Sequence, residues 1–189
     1  MLYVITGGSG SGKSKYAEDF AVQVRGKQFS SGRLFYVATL CPYRPSGETD
    51  PECTARIERH RQMRRDKGFS TVECYCGIGR IETKPCDVVL LECMSNLLAN
   101  EMYQSEGQIR SFGEEGRKQM RGTILSPLLD MAKRAGCVIV VTNEVFSDGT
   151  AADGETARYL GMLADINREL AKAADGVTEV VCGIPLAVV

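Results

Sequence analysis

Net charge is almost absent from this sequence: 23 Lys and Arg stand against 24 Asp and Glu, so no global basic field marks a nucleic-acid or anionic-membrane partner. Long apolar runs are missing too. Stretches such as Val88 to Leu91 and Val138 to Val141 fall far short of a bilayer span. With a first strand starting beside Met1 and a glycine-rich loop at Gly7, no length is left for a signal peptide. A cytoplasmic protein without a membrane span is therefore expected. Neither repeats, low-complexity tracts nor linkers interrupt residues 1–189, which read as one domain. Histidine occurs once.

Cysteine, by contrast, is plentiful, with 8 residues in the chain. In reducing cytosol these are expected as free thiols rather than a disulfide framework. Cys74, Cys76, Cys86 and Cys93 can be imagined around zinc, but the Cys74-x-Cys76 step is not the usual spacing for such a site. Most of the cysteines are expected to be small buried hydrophobes.

Short apolar runs alternate with helical stretches, as in a mostly parallel sheet covered by helices. The runs predict strands over Leu2 to Thr6, Leu34 to Thr39, Asp87 to Glu92, Cys137 to Thr142 and Val177 to Cys182. Weaker strands are expected at Phe69 to Glu73 and Pro185 to Val189, the last pairing with its predecessor as an antiparallel hairpin. Helices are expected from Lys13 to about Val24, Pro51 to Arg65, Gly113 to Arg134 and Glu155 to Ala173, with a shorter one after Glu92. Asp50 can cap the second of these and Pro51 suits its first position. Pro42 to Gly47 reads as a loop before it.

The loop Gly7-Gly8-Ser9-Gly10-Ser11-Gly12-Lys13-Ser14 fits G-x-x-x-x-G-K-[ST] at every defined position, between a strand and a helix. Glycines let backbone N–H groups turn inward around an anionic phosphate, and the helix N-terminus adds partial positive charge. Lys13 is expected on the β- and γ-phosphates and the Ser14 hydroxyl on Mg²⁺. A partner for the cation should come from the end of another buried strand, and Glu92 closes Asp87-Val88-Val89-Leu90-Leu91-Glu92. Two roles are open for it: Mg²⁺ binding or orientation of an acceptor hydroxyl, and capping of the next helix. Asp87, at the far end of that strand, is expected to be merely solvated.

His60 lies in Arg56-Ile57-Glu58-Arg59-His60-Arg61-Gln62-Met63-Arg64-Arg65. On a helix, Arg56, His60 and Arg64 share a face. Flanking guanidinium groups would bind phosphate oxygens and keep the imidazole neutral, which suits attack on an α-phosphate to form a nucleotidyl-histidine. A solvated, arginine-rich surface carrying one histidine fits the same pattern.

Several segments together resemble the bifunctional adenosylcobinamide kinase / adenosylcobinamide-phosphate guanylyltransferases of cobalamin biosynthesis. They are Ile5-Thr6-Gly7-Gly8, Ser11-Gly12-Lys13-Ser14, Tyr16-Ala17-Glu18, Tyr36-Val37-Ala38-Thr39 and Ala55-Arg56-Ile57-x-x-His60-Arg61. They continue with Thr71-x-Glu73, Leu90-Leu91-Glu92-Cys93, Asn96-Leu97-Leu98, Val141-Thr142-Asn143-Glu144-Val145, Asn167 and Ala173-Ala174-Asp175. The resemblance implies a RecA-like P-loop NTPase fold of class α/β and a homo-oligomer, expected as a trimer. It also implies two reactions. In the first, ATP or GTP phosphorylates the hydroxyl of adenosylcobinamide; in the second, GMP passes from GTP through His60 to the cobinamide phosphate, giving adenosylcobinamide-GDP. Lys13, Glu92 and His60 are then the catalytic residues, with Arg56 and Arg61 or Arg64 on the triphosphate and Asn143 and Glu144 against nucleotide or acceptor.

Departures from the family pattern occur at Phe146-Ser147-Asp148-Gly149-Thr150, at Leu160-Gly161, at Glu92 and at Phe69, in segments expected to face the acceptor. Two rival readings use the same loop. One is a P-loop kinase of another small metabolite with only the kinase step. The other is a non-catalytic nucleotide-binding switch or assembly module.

Overall fold

Strands that are apolar at successive positions have to be covered on both faces, and the computed structural model, which describes residues 1–43, 47–104, 106–145 and 154–188, builds a three-layer structure that does so. The order along the chain is β1 (Leu2–Thr6), α1 (Lys13–Gln28), β2 (Leu34–Ala38), α2 (Pro51–Met63), β3 (Ser70–Glu73) and a single 3₁₀ turn at Ile78–Arg80. Then come β4 (Val88–Glu92), α3 (Met94–Tyr103), α4 (Gly113–Met120), α5 (Ser126–Arg134) and β5 (Cys137–Val141). The chain closes with α6 (Gly154–Ala173), β6 (Gly176–Val181) and β7 (Ile184–Ala187).

The sheet has 7 strands in the order β3-β2-β4-β5-β1-β6-β7. All neighbours are parallel except β6 and β7, which form the expected antiparallel hairpin. The loop-bearing strand β1 is separated from the acid-ending strand β4 by β5, the arrangement of a RecA-like P-loop NTPase. One face of the sheet packs on α1 through Ala17, Ala21 and Val24 against Ile5, Leu90 and Ile139. The other face is covered by α3 to α6, whose Leu97, Leu98, Leu128 and Ile166 meet Val37, Leu91 and Val140.

α1 runs one turn beyond the expected end. The stretch Gly113 to Arg134 is helical throughout, but Arg121–Leu125 widens into a π-turn between α4 and α5. Pro127 stands two residues on; it has no N–H to give back to the preceding turn, and a widened turn relieves that deficit. The loop read at Pro42 to Gly47 and the departure at Phe146 to Thr150 fall wholly or partly outside the described residues.

Two expectations need correction. Asp87 is not solvated: it is 2% exposed, and Arg33 donates to it from its backbone N, its Nε and its Nη2 while Lys84 N donates as well. Nor are most cysteines buried. Cys74, Cys93 and Cys137 are, whereas Cys86 and Cys182 are exposed and the others lie between. Loop and hairpin positions put these thiols where the backbone itself reaches solvent.

Burial alone would raise the Asp87 carboxyl, but the Arg33 and Lys84 donors outweigh it and hold it below the usual aspartate range. A depressed folded value means the stabilisation is complete above the unfolded value and is lost as pH falls through the folded one. Asp87→Ala is expected to cost about 2–4 kcal/mol at neutral pH, because it strands buried donors. In urea denaturation the difference from the parent should shrink below about pH 4.

Candidate active site

Three backbone features shape the phosphate loop. Gly12 caps α1 from the left-handed region at φ 90. A Cβ on Gly7 would sit 2.5 Å from Val180 O. Glu144 N donates to Gly7 O at 3.1 Å, which pins the loop to the chain leaving β5. Lys13 is buried, and its Nζ donates to Gly8 O at 3.0 Å, so the ammonium lies over the loop. Burial lowers the Lys13 pKa, while Glu92 and Cys93 work in the opposite direction.

Ser14 Oγ donates to Glu92 Oε1 at 2.7 Å. Glu92 Oε2 is buried without a partner. A serine hydroxyl beside a carboxylate with a spare oxygen is an oxygen-only donor set, and it fits a hard cation such as Mg²⁺. Burial lifts the Glu92 carboxyl to about 7, against the pull of Ser14 and Lys13.

His60 comes from outside the sheet. Asp50 Oδ1 accepts from Glu52 N and Cys53 N at the start of α2, and Pro51 occupies the first turn, as the sequence indicated. Arg56, Ile57, His60 and Arg64 turn toward the end of β2 and β4 and line a cavity of about 40 Å³ with Tyr36, Ala38, Leu40, Glu92, Cys93 and Asn96. His60 Nδ1 and Arg64 Nη1 are buried there without hydrogen-bond partners. Burial first, then the charges of Arg56, Arg64 and Arg59, push the imidazole pKa below its ordinary value. A neutral imidazole at neutral pH is a nucleophile.

The basic residues around His60 separate in space. Arg64 is 5% exposed and stacks on the Tyr36 ring at 3.6 Å. Arg61 instead reaches Glu73 Oε1 at 2.5 Å on the surface, away from the cavity. Asn143 Nδ2 donates to Ser95 Oγ at 2.7 Å, beside Cys93, so it supports the first turn of α3. Two other residues quoted for the resemblance serve the frame: Thr142 Oγ1 donates to Asn167 Oδ1 at 2.7 Å, and Leu2 N donates to Asp175 Oδ2 at 2.7 Å. Sequence reasoning assigned no role to Tyr36, Thr39 or Asn96. Thr39 Oγ1 donates to Cys93 O and accepts from Cys93 N, joining the ends of β2 and β4. Their presence among the family-like segments was the available signal.

Residues 3–188 match the family described as cobinamide kinase / cobinamide phosphate guanyltransferase. The chain belongs to this family. It is a transferase of the kinase and guanylyltransferase type. Among curated relatives, the bifunctional adenosylcobalamin biosynthesis protein CobU of Escherichia coli (strain K12) is 31% identical, over 97% of each chain. The protein of the same name from Salmonella typhimurium is 29% identical over the same share. Among solved structures, the flagellar accessory protein FlaH from Methanocaldococcus jannaschii aligns with a TM-score of 0.42 at 12% identity, covering 94% of this chain and 70% of that one. In this cobinamide kinase / guanyltransferase chain, the phosphate loop, Glu92 and His60 thus meet at one sheet end.

The raised Glu92 carboxyl has a measurable consequence in nucleotide-free, Mg²⁺-free protein. Its folded value of about 7 exceeds the ordinary glutamate value of 4.5, so its contribution to stability is full below 4.5 and is lost as pH rises through 7. Glu92→Gln should therefore raise Tm at about pH 8, with the gain gone by about pH 5. Thermal denaturation at the two pH values checks this.

Proposed function

We propose that this chain performs both family reactions on one nucleotide site: it phosphorylates adenosylcobinamide, and it then transfers GMP to the product through His60. The observation that carries the reading is that His60 and Glu92 line the same cavity, while Glu92 is bonded to Ser14 of the phosphate loop.

In the kinase step the loop N–H groups and Lys13 hold the triphosphate of ATP or GTP. The acceptor hydroxyl attacks the γ-phosphorus, and the bond to the β,γ-bridging oxygen breaks. Glu92 Oε2, buried and unpartnered, takes the hydroxyl proton. Ser14, and Glu92 through water, would hold Mg²⁺, which would supply charge neutralisation on the phosphates.

In the guanylyl step an imidazole nitrogen of His60 attacks the α-phosphorus of GTP and pyrophosphate leaves. A phosphate oxygen of cobinamide phosphate then attacks the same phosphorus, the P–N bond breaks, and adenosylcobinamide-GDP forms. His60 recovers its lone pair. Splitting the transfer replaces one difficult displacement by two easier ones. Arg56 and Arg64 serve the triphosphate here; Arg61, held by Glu73, is the weaker candidate. Asn143 and Glu144 act from the rim, Asn143 through Ser95.

The same reading makes the protein a homo-oligomer, as a trimer. Its support is the apolar outer edge of the terminal hairpin, where Ile184, Leu186 and Val188 are exposed. It also puts the enzyme in the cytoplasm, where reducing conditions keep its cysteines as thiols. No helix of the described residues is long and apolar enough to cross a membrane.

Incubation with Mg²⁺ and GTP, followed by intact-mass measurement under mildly alkaline conditions, should reveal a GMP-sized adduct that His60→Ala abolishes. Absence of the adduct while GTP binds would remove His60 from the mechanism and leave the kinase step alone. The pH dependence is a second check. Because burial, Arg56 and Arg64 depress the imidazole pKa, adduct formation should persist below the ordinary histidine value of 6.5. In Arg64→Ala the acid limb of the profile should move up toward that value.

A further inference from the structure

The family reaction requires an acceptor much larger than the cavity beside His60, and the far end of α3, the helix that starts at that cavity, carries a group of exposed aromatic side chains. Among the described residues the exposed aromatic rings are Tyr43 at 52%, Tyr103 at 46% and Phe112 at 65%. Singly exposed aromatics need no explanation. These three are joined in one chain of contacts. Gln104 Nε2 donates to Tyr43 O at 3.5 Å, and the neighbouring Tyr103 hydroxyl donates to Glu155 Oε2 at 3.4 Å. Arg158 Nη1 donates to the same carboxylate at 3.4 Å, and its guanidinium lies 4.3 Å from the centroid of the Phe112 ring.

α3 links this rim to the chemistry. Its first residue, Met94, follows Glu92 and Cys93, and its last, Tyr103, carries the rim. The helix crosses the end of the sheet rather than running back along it, because Asn100 Nδ2 donates to Thr39 O at 2.8 Å and Tyr75 O at 3.0 Å, both at strand ends. At 1.5 Å per residue Tyr103 lies about 14 Å along the helix from Met94, two residues past Glu92. α6 closes the other side: Tyr159, next to Arg158, donates to Ser95 O at 3.1 Å.

We propose that Tyr43, Tyr103 and Phe112 form the docking subsite for the acceptor's macrocycle, a conclusion that rests on the proposed function. A corrinoid is a large, flat, conjugated ring fringed with amides, and it carries its reacting hydroxyl on a side arm. Aromatic faces suit the ring. Gln104 and the Glu155 carboxylate suit the amides. A ring resting at the far end of α3 leaves the arm to run along the helix to Glu92 and His60. Loading of His60 with GMP uses no acceptor, so the two functions separate.

The test uses full-length protein with Mg²⁺-GTP and cobinamide, comparing the parent with Tyr103→Ala, Phe112→Ala and the conservative Tyr103→Phe. Three quantities are measured: the guanylyl adduct without acceptor, cobinamide affinity by equilibrium dialysis read through the corrinoid's own absorbance, and native mass. The expected result is an unchanged adduct, cobinamide affinity weakened roughly tenfold in each alanine variant, and affinity retained in Tyr103→Phe. Parent-like affinity in both alanine variants would overturn the subsite while leaving the proposed function standing. A change in native mass instead of affinity would also overturn it, making the rim a contact between copies of this chain. A parent that forms the adduct but binds no cobinamide would sink both the subsite and the corrinoid reading.

Discussion

A 2.7 Å hydrogen bond from Ser14 to Glu92 ties the first turn of α1 to the end of β4, across the strand that lies between β1 and β4. Its existence depends on register. Ile5 and Glu92 both pair with Val141 of β5, so the phosphate loop and the acid emerge level with each other, two strand spacings or roughly 10 Å apart. A one-residue shift of the β4–β5 pairing would turn Glu92 to the other face of the sheet. The uninterrupted apolar runs of β4 and β5, the helices on both faces and the Asp87–Arg33 clamp at the opposite end of β4 all serve to hold that register.

His60 is delivered on different terms. None of the residues of α2 is fully buried, and the helix is fastened mainly near its end. Arg64 stacks on Tyr36, and Lys67 forms ion pairs with Glu18 and Asp19 of α1 at 2.9 Å and 2.7 Å. Glu18 is itself fully buried, so this anchor reaches the core while α2 stays on the surface. Such a helix suits the role proposed for His60, a nucleophile that would meet two phosphorus-bearing partners in turn. A histidine fixed within the sheet would have one geometry; one carried on a separately fastened helix can be held over the phosphates by a few charged contacts.

The residues that signalled the family divide into two kinds once they are seen in space. Lys13, Ser14, His60 and Glu92 gather where chemistry can happen. Asn167, Asp175 and Thr39 bond to the ends of strands and keep the frame in order. Asn143 stands between these kinds, at the sheet end but turned to Ser95. A repeated motif residue is thus not by itself a contact to substrate; its hydrogen-bond partners decide.

Much of the fold and part of the site were legible in the residues because their causes are local. Short continuous apolar runs marked the strands, the glycines marked the loop, and Asp50-Pro51 marked the start of α2, since each follows from backbone sterics and nearest-neighbour hydrogen bonding. Helical spacing alone also set Arg56, His60 and Arg64 on one face. Only the tertiary structure decided that Arg64 enters the cavity while Arg61 turns to Glu73, and that Asp87 is clamped rather than solvated. It alone carried α3 across the sheet end to bring Tyr103 beside Tyr43 and Glu155. Those outcomes depend on partners that lie 12 to 61 residues away along the chain. No local pattern encodes such a partner, because burial and electrostatic pairing are settled only when the sheet and its helices close around them.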